Sequence, residues 1–199
     1  MRKYIYGLLI LLLAFVLLVA LNLFFFSRAA TVISTGEPIE LKGTNKTALL
    51  VIDIQEGTTG SVSPRESYVQ QAEALISNTN RCIDAATEKG WKVIYIRSEV
   101  VNPLLNLLNN SLARGSLGAE LDERLNRDSG VLVVKRKNDS FRDTGLDEIL
   151  QEAQVGHLVL TGLDAAGCVD ATLRAALNRD YRISVIPEAI ISDPDSVLD

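Results

Sequence analysis

A cysteine at the junction between an apolar run and a helix-like segment is the residue best suited to chemistry. Cys168 follows the apolar run 157–162 and the loop 163–167, and residues 168–177 have the spacing and composition of a helix. Unpaired backbone N–H groups and the positive end of the helix dipole favour a thiolate at this position. A lone cysteine more often only packs in a core, so position alone leaves both roles open.

A carboxylate and an ammonium group follow two other apolar runs. Asp53 closes the run 47–52, and Lys135 closes the run 131–134. The carboxyl ends of strands in an open parallel sheet meet at a ligand crevice. There an Asp can act as general base for a thiol, and a Lys can stabilise the charges of both. The alternatives are an Asp that caps a loop and a Lys that is merely exposed.

The elements that must position these side chains alternate along the chain. Strands are predicted over 47–52, 91–97, 131–134, 157–162 and 182–186, and helices over 67–89, 119–127, 145–153 and 168–177. Such alternation predicts an α/β fold with a mostly parallel sheet covered on both faces. The apolar, Asn-rich stretch 100–116 fits no strand. We expect it to form a short helix or lid beside the site, a dimer contact, or a satellite core helix.

Four stretches of this sequence resemble the isochorismatase-like cysteine hydrolases. They are residues 48–55, 115–121, 135–141 (followed by Thr144 and Leu146) and 162–169. The resemblance covers about residues 47–192, and it implies a three-layer, Rossmann-like α/β/α fold. It also implies a catalytic triad of Asp53, Lys135 and Cys168, with a cis peptide bond in the loop before the cysteine.

In the predicted mechanism, Asp53 takes the thiol proton and Cys168 attacks a carbonyl carbon. Backbone N–H groups of Gly167 and Cys168 would form the oxyanion hole. Gln55, Arg97 and Phe141 are predicted to line the substrate pocket. The expected substrate is a small amide, ureide or related C–N compound.

Two departures from the family pattern keep other functions open. Ala165 and Ala166 stand where relatives often carry Thr-Asp, and the sequence ends at Asp199, earlier than expected for the family. The alternatives are vinyl-ether hydrolysis, which would depend on Asp53 more than on Cys168, and a non-catalytic binding module. The lone histidine, His157, lacks metal-ligand spacing, so neither a metal nor another cofactor is predicted.

The N-terminus has the composition of a membrane anchor. Residues 5–26 carry no charge, and as a helix they are long enough to cross a hydrocarbon core of about 30 Å. A cleaved signal peptide is the rival interpretation, although its apolar region is usually shorter. Arg2 and Lys3 before the span favour a cytoplasmic N-terminus, a single-pass protein of the cell membrane and an extracytoplasmic catalytic domain. The predicted organisation is an anchor over 1–30, a linker over 31–46 and a hydrolase domain over 47–199.

The charge balance limits the classes of partner that this chain can bind, and the two cysteines raise the question of a disulfide. Beyond residue 30 the chain has 17 Lys and Arg against 25 Asp and Glu, which argues against nucleic-acid binding. The predicted partners are a small-molecule substrate and the lipid bilayer, with homo-oligomerisation possible. Cys82 lies in the predicted helix 67–89, and we expect it to be unbridged, because pairing with Cys168 would consume the nucleophile.

Overall fold

The computed structural model describes residues 2–40 and 46–194. The helices in this part of the chain are α1 (Arg2–Ala30), α2 (Glu66–Glu88), α3 (Pro103–Leu108), α4 (Leu146–Glu152) and α5 (Asp170–Leu177). The strands are β1 (Lys46–Ile52), β2 (Lys92–Ser98), β3 (Val131–Lys135), β4 (Val155–Leu163) and β5 (Arg182–Ile191). A 3₁₀ turn at Leu117–Ala119 and a π-type turn at Ala165–Val169 complete the regular structure. Each strand predicted from an apolar run is present.

The strands form one sheet in the order β3-β2-β1-β4-β5, and every neighbouring pair is parallel. The chain builds outward from β1 through β2 to β3, then returns to the other side of β1 for β4 and β5. The direction of winding therefore reverses between β1 and β4. In open parallel sheets a crevice forms at the carboxyl ends of the strands at such a point.

Helices cover both faces of the sheet. Alternate side chains of β1 point to opposite faces, as the two-residue period of a strand requires. Leu50 and Ile52 share a buried cluster with α4 and α5, whereas Leu49 and Val51 share another with α2. The three-layer α/β/α fold expected from the sequence is confirmed.

Cys82 packs against the cluster under α2, and Cys168 packs against the opposite one. Both cysteines are free thiols. Because the sheet separates them, a bridge between the two would require the fold to open.

The predicted helix over 119–127 is wrong. After the 3₁₀ turn the chain is extended alongside residues 54–57, with Glu56 N–H donating to Glu120 O and Asp122 N–H donating to Ile54 O. Asp122 is fully buried and accepts hydrogen bonds from the Thr59 hydroxyl and the Arg124 side chain. Asp side chains favour local turns over helix interiors. The hydrogen bonds to Asp122 stabilise the extended chain in place of a helix.

The stretch 100–116 contains α3, which has no buried residue, so the satellite core helix is also wrong. Asn102 caps α3 by accepting from the N–H groups of Leu104 and Leu105. Leu107 and Leu108 are 82% and 73% exposed.

Helix α1 is long and apolar enough to cross a membrane by length and composition. Its carboxyl-terminal end contacts the domain: Asn138 N–H and the Arg142 guanidinium donate to the Ala30 and Ala29 carbonyls. The described part of the predicted linker, residues 31–40, also lies along the domain, with Ile33 and Ile39 against the core. Within the predicted organisation, residues 41–45 and 195–199 lie outside the described residues.

Candidate active site

Three strand ends bring Asp53, Lys135 and Cys168 together at the carboxyl edge of the sheet. Asp53 follows β1 with a left-handed backbone (φ 56°). Its N–H donates to Ile96 O, and its carbonyl accepts from the Thr58 hydroxyl at 2.7 Å. These bonds hold the turn in a conformation that non-glycine residues rarely adopt, and they direct the carboxylate towards β2 and β3.

Lys135, the last residue of β3, is buried with 1% exposure. Its Nζ lies 2.8 Å from Asp53 Oδ2 and 3.0 Å from Cys168 Sγ. It also lies 2.9 Å from Ser98 Oγ and 3.1 Å from the Lys137 carbonyl oxygen. An ammonium buried this deeply requires such partners, because an unpaired buried charge is costly.

Cys168 stands in the π-type turn that joins β4 to α5. The Val169 N–H donates to Asp164 O at 3.1 Å, which defines this wider turn. The Leu163–Asp164 peptide bond is cis, as the resemblance implied for this loop. Cys168 is half-buried, and its Sγ hydrogen-bonds to Lys135 Nζ at 3.0 Å.

The protonation of the thiol differs from the sequence-based expectation. Burial and the Asp53 carboxylate raise the pKa of Cys168 to about 12, against the lowering effect of Lys135. These contributions oppose the thiolate that the position before the helix was expected to favour. Burial by itself lowers the pKa of Lys135, but Asp53 and Cys168 outweigh burial and raise it. The raised pKa favours a neutral thiol beside the Lys135–Asp53 ion pair.

The isochorismatase domain family matches residues 47–196. The chain belongs to that family.

Two curated relatives and one solved structure illustrate the range of the isochorismatase-like hydrolases. Ureidoacrylate amidohydrolase RutB of Rhizobium rhizogenes is 26% identical over 182 residues, 78% of this chain and 74% of that protein. A probable inactive nicotinamidase of Arabidopsis thaliana is 28% identical over 167 residues, 72% of this chain and 79% of that protein. The crystal structure of N-carbamoylsarcosine amidase from Thermoplasma acidophilum superimposes with a TM-score of 0.64 and 28% identity, covering 76% of this chain and 88% of that one.

Both predicted oxyanion-hole donors lie in the turn before α5. Gly167 N–H donates to the Asp164 carbonyl at 3.0 Å, so it would have to leave that acceptor to bind a substrate oxygen. Gly167 has a non-helical backbone (φ −115°, ψ −106°) inside the turn. Cys168 N–H belongs to the same turn, next to its own thiol.

The three predicted pocket residues are each engaged in contacts within the protein. Gln55 is fully buried, and its Nε2 donates to the carbonyls of Ser98 and Ala119 while its Oε1 accepts from Ser98 N–H. Its amide therefore fixes the end of β2. Arg97 is engaged with carboxylates of its own neighbourhood, Glu99 and Glu120, at 3.2 and 3.3 Å.

Phe141 is 3% exposed and stacks in the core, with the Arg179 guanidinium 4.4 Å from its ring centre. Two described cavities of about 290 Å³ also lie apart from the triad. One is lined by residues within 83–88 and 126–129, and the other by residues within 62–64 and 109–118.

Sequence reasoning missed Ser98. Its hydroxyl donates to Asp53 Oδ1 at 2.9 Å and accepts from Lys135 Nζ at 2.9 Å. A hydroxyl can do both at once, so Ser98 bridges the acid and the cation. The available signal was its position: Ser98 directly follows the predicted strand 91–97, at the edge where the other site residues lie.

His157 lies in β4, between Thr47 Oγ1 and Ser184 Oγ. Burial lowers its pKa, with Arg182 adding to the effect. Within residues 2–40 and 46–194, no group of three or more His, Cys, Asp or Glu side chains could hold a metal ion.

Proposed function

We propose that this protein is a membrane-tethered cysteine hydrolase that cleaves the C–N bond of a small amide or ureide. The observation that carries the proposal is the contact of one ammonium, Lys135 Nζ, with both Asp53 Oδ2 and Cys168 Sγ. A thiol, a carboxylate and a cation within hydrogen-bonding distance are the groups that covalent acyl transfer needs.

The first half of the proposed reaction forms a thioester. Asp53 takes the Cys168 proton as the sulfur attacks the substrate carbonyl carbon. Lys135 keeps the site near electrical neutrality while negative charge moves from the carboxylate to the sulfur and on to the carbonyl oxygen. Asp53 then gives its proton to the leaving nitrogen, the C–N bond breaks, and an amine or ammonia departs.

The second half restores the thiol. Asp53 takes a proton from water, the resulting oxygen nucleophile attacks the thioester, and the C–S bond breaks. The proton returns to Cys168, and the acid product leaves. The raised pKa of Cys168 fits this cycle, because the thiol stays protonated until a substrate carbonyl is present to accept the sulfur.

The backbone N–H of Cys168 would hold the oxyanion, joined by that of Gly167 if it releases Asp164 O. Gln55, Arg97 and Phe141 are proposed to act on substrate binding indirectly, by fixing the end of β2 and the core beneath the site. The substrate class follows the relatives that are described as amidohydrolases and amidases.

The membrane tether is supported by α1 itself. Its last residues accept hydrogen bonds from Asn138 and Arg142. A cleavage after Ala30, as for a signal peptide, would remove these acceptors from the domain, so an uncleaved anchor fits the contacts better.

The test is a screen of small amides and ureides with the full chain in detergent micelles, read as release of ammonia or amine. We expect turnover by the native chain and by Cys82→Ala, and a loss of roughly a thousand-fold or more in Cys168→Ala. Mass spectrometry of the quenched reaction should find the acyl group on the Cys168 peptide.

Two outcomes would contradict the proposal. Full amide turnover in Cys168→Ala would exclude the thioester. No turnover of any amide, together with binding of the same compounds, would indicate a non-catalytic module.

A further inference from the structure

The apolar helix α3 and the candidate membrane helix α1 lie side by side at the edge of the domain. We infer that α3 is a second membrane-contacting element, which rests its exposed leucines in the headgroup boundary of the bilayer that α1 crosses. This inference rests on the proposed membrane tether. The exposed face of α3 would contact the lipid bilayer itself. Four features of α1, α3 and their surroundings support this inference.

The first feature is the depth at which the two helices meet. Asn102 Nδ2, at the start of α3, donates to Asn22 Oδ1 of α1 at 2.8 Å. Asn22 lies four residues before Phe26, the end of the apolar span, which is about 6 Å along a helix axis. If the apolar span fills the hydrocarbon, α3 therefore begins at or slightly below its boundary.

The second feature is a partly buried stripe on α1. Val19, Leu23, Phe26 and Ala30 are half-buried, whereas their neighbours 20–22, 24 and 25 are exposed. Their spacing of three or four residues puts them on one helix face. The domain thus contacts α1 from the level of Val19 onward, within the apolar span.

The third feature is the surface of α3. Leu107 and Leu108 are exposed, and no residue of α3 is buried. Contiguous exposed apolar surface, where α3 adds to the apolar span of α1, marks an interaction site. The Asn102 cap also provides acceptors for the first N–H groups of α3, which is the condition for bringing backbone near hydrocarbon.

The fourth feature is the charge beside the end of α1. Arg28 lies in its last turn, Lys137 Nζ lies over the Phe26 ring at 5.7 Å, and Arg142 donates to Ala29 O. Basic side chains at this level complement anionic headgroups. The exposed leucines of α3 would face the apolar part of the bilayer boundary. The nearby basic side chains would face its headgroups.

The experiment measures lipid contact at single positions in the full chain. Trp91 is the only tryptophan, so Trp91→Phe provides a silent background for Leu108→Trp in α3, Leu13→Trp in the middle of α1, and Leu177→Trp at the end of α5. All three positions are exposed, so the substitutions leave the core unchanged. Each variant is reconstituted in phosphatidylcholine–phosphatidylglycerol vesicles with acyl chains brominated near the glycerol or near the methyl end.

We expect Leu108→Trp to lose emission mainly to bromine near the glycerol, and Leu13→Trp mainly to bromine near the methyl end. Leu177→Trp should emit equally in brominated and plain vesicles. Quenching at position 13 without quenching at position 108 would overturn the inference and leave the tether intact. No quenching at either position would overturn the tether, and the inference with it. Protection of position 108 from both bromine and aqueous acrylamide would show that a second protein copy covers α3, which also overturns the inference.

Discussion

Asp53 and Lys135 form a compact pair of charges beside one thiol, and the neutral Ser98 hydroxyl bridges them. The Ser98 hydroxyl donates a hydrogen bond to Asp53 Oδ1, and Lys135 forms an ion pair with Asp53 Oδ2. With Cys168 protonated, the buried carboxylate and ammonium cancel each other. A thiolate would add an uncompensated negative charge to the same buried volume, which is the physical reason that the pKa of Cys168 is raised.

Replacing Asp53 should therefore make Cys168 easier to alkylate while abolishing turnover. Asp53→Asn removes the charge that raises the pKa of Cys168 and leaves the lowering effect of Lys135. Each unit by which the pKa falls gives about tenfold more thiolate near neutral pH. The measurement is the iodoacetamide rate of the Cys168 peptide against pH in the full chain, and the profile should move to lower pH in the variant.

The Cys82 peptide in the same digest is the internal control for folding, because Cys82 packs on the other face of the sheet. Slower labelling of Cys168 in Asp53→Asn, with Cys82 unchanged, would contradict the assignment of Asp53 as the group that keeps the thiol protonated.

Among the secondary-structure elements, β4 determines where the cysteine turn begins. Gly162 pairs with Ile52 of β1 and has φ +116°. A Cβ at this position would lie 2.0 Å from the Ile52 carbonyl oxygen. Glycine is required there because the strand must approach β1 closely just before it leaves the sheet towards Cys168.

Gly162→Ala should destabilise the fold more than Gly90→Ala does. Gly90 also has positive φ (+64°), but a Cβ there meets nothing within 4 Å, so it reports the backbone cost alone. We expect the clash with Ile52 to add about 2 kcal/mol to the loss in the free energy of unfolding. Trp91 fluorescence in guanidinium titrations of the full chain would measure the free energy of unfolding of both variants. Equal losses would mean that β1 and β4 can separate without cost.

The strands and most of the helices were predicted correctly from the sequence, whereas the side-chain contacts between them were not. Apolar runs and helical spacing suffice for strands and helices whose buried faces are regular. They fail for residues 119–127, where the buried Asp122 carboxylate binds Thr59 and Arg124. They also do not reveal that Gln55 holds β2 or that Phe141 is in the core, because both roles depend on partners distant in sequence.

The whole molecule joins an apolar helix to an acidic α/β domain through contacts on both sides of residue 30. Ser34 donates its N–H and hydroxyl to the buried Asp139 carboxylate, and the Ser34 carbonyl accepts from Asn178. Residues 31–40, most of the predicted linker, are therefore bound along the domain surface.

The proposed orientation places the domain outside the cytoplasm. Arg2 and Lys3 precede the apolar span without an acidic neighbour, which favours retention of the N-terminus inside. In cells that express the full chain with a carboxyl-terminal epitope, protease added outside should remove the epitope while a cytosolic marker survives. Loss of the epitope only after lysis would place the domain inside instead.

The hydrogen bond from Asn138 to Ala30 has a consequence for the reach of the enzyme. Lys135 Nζ contacts the carbonyl of Lys137, whose own peptide continues into that Asn138 N–H, so the ammonium lies no more than about 9 Å from the end of α1. If α1 crosses the bilayer, this short connection holds the site close to the membrane end of the domain. The site is then held at a fixed height above the lipid, within reach of compounds at the membrane surface.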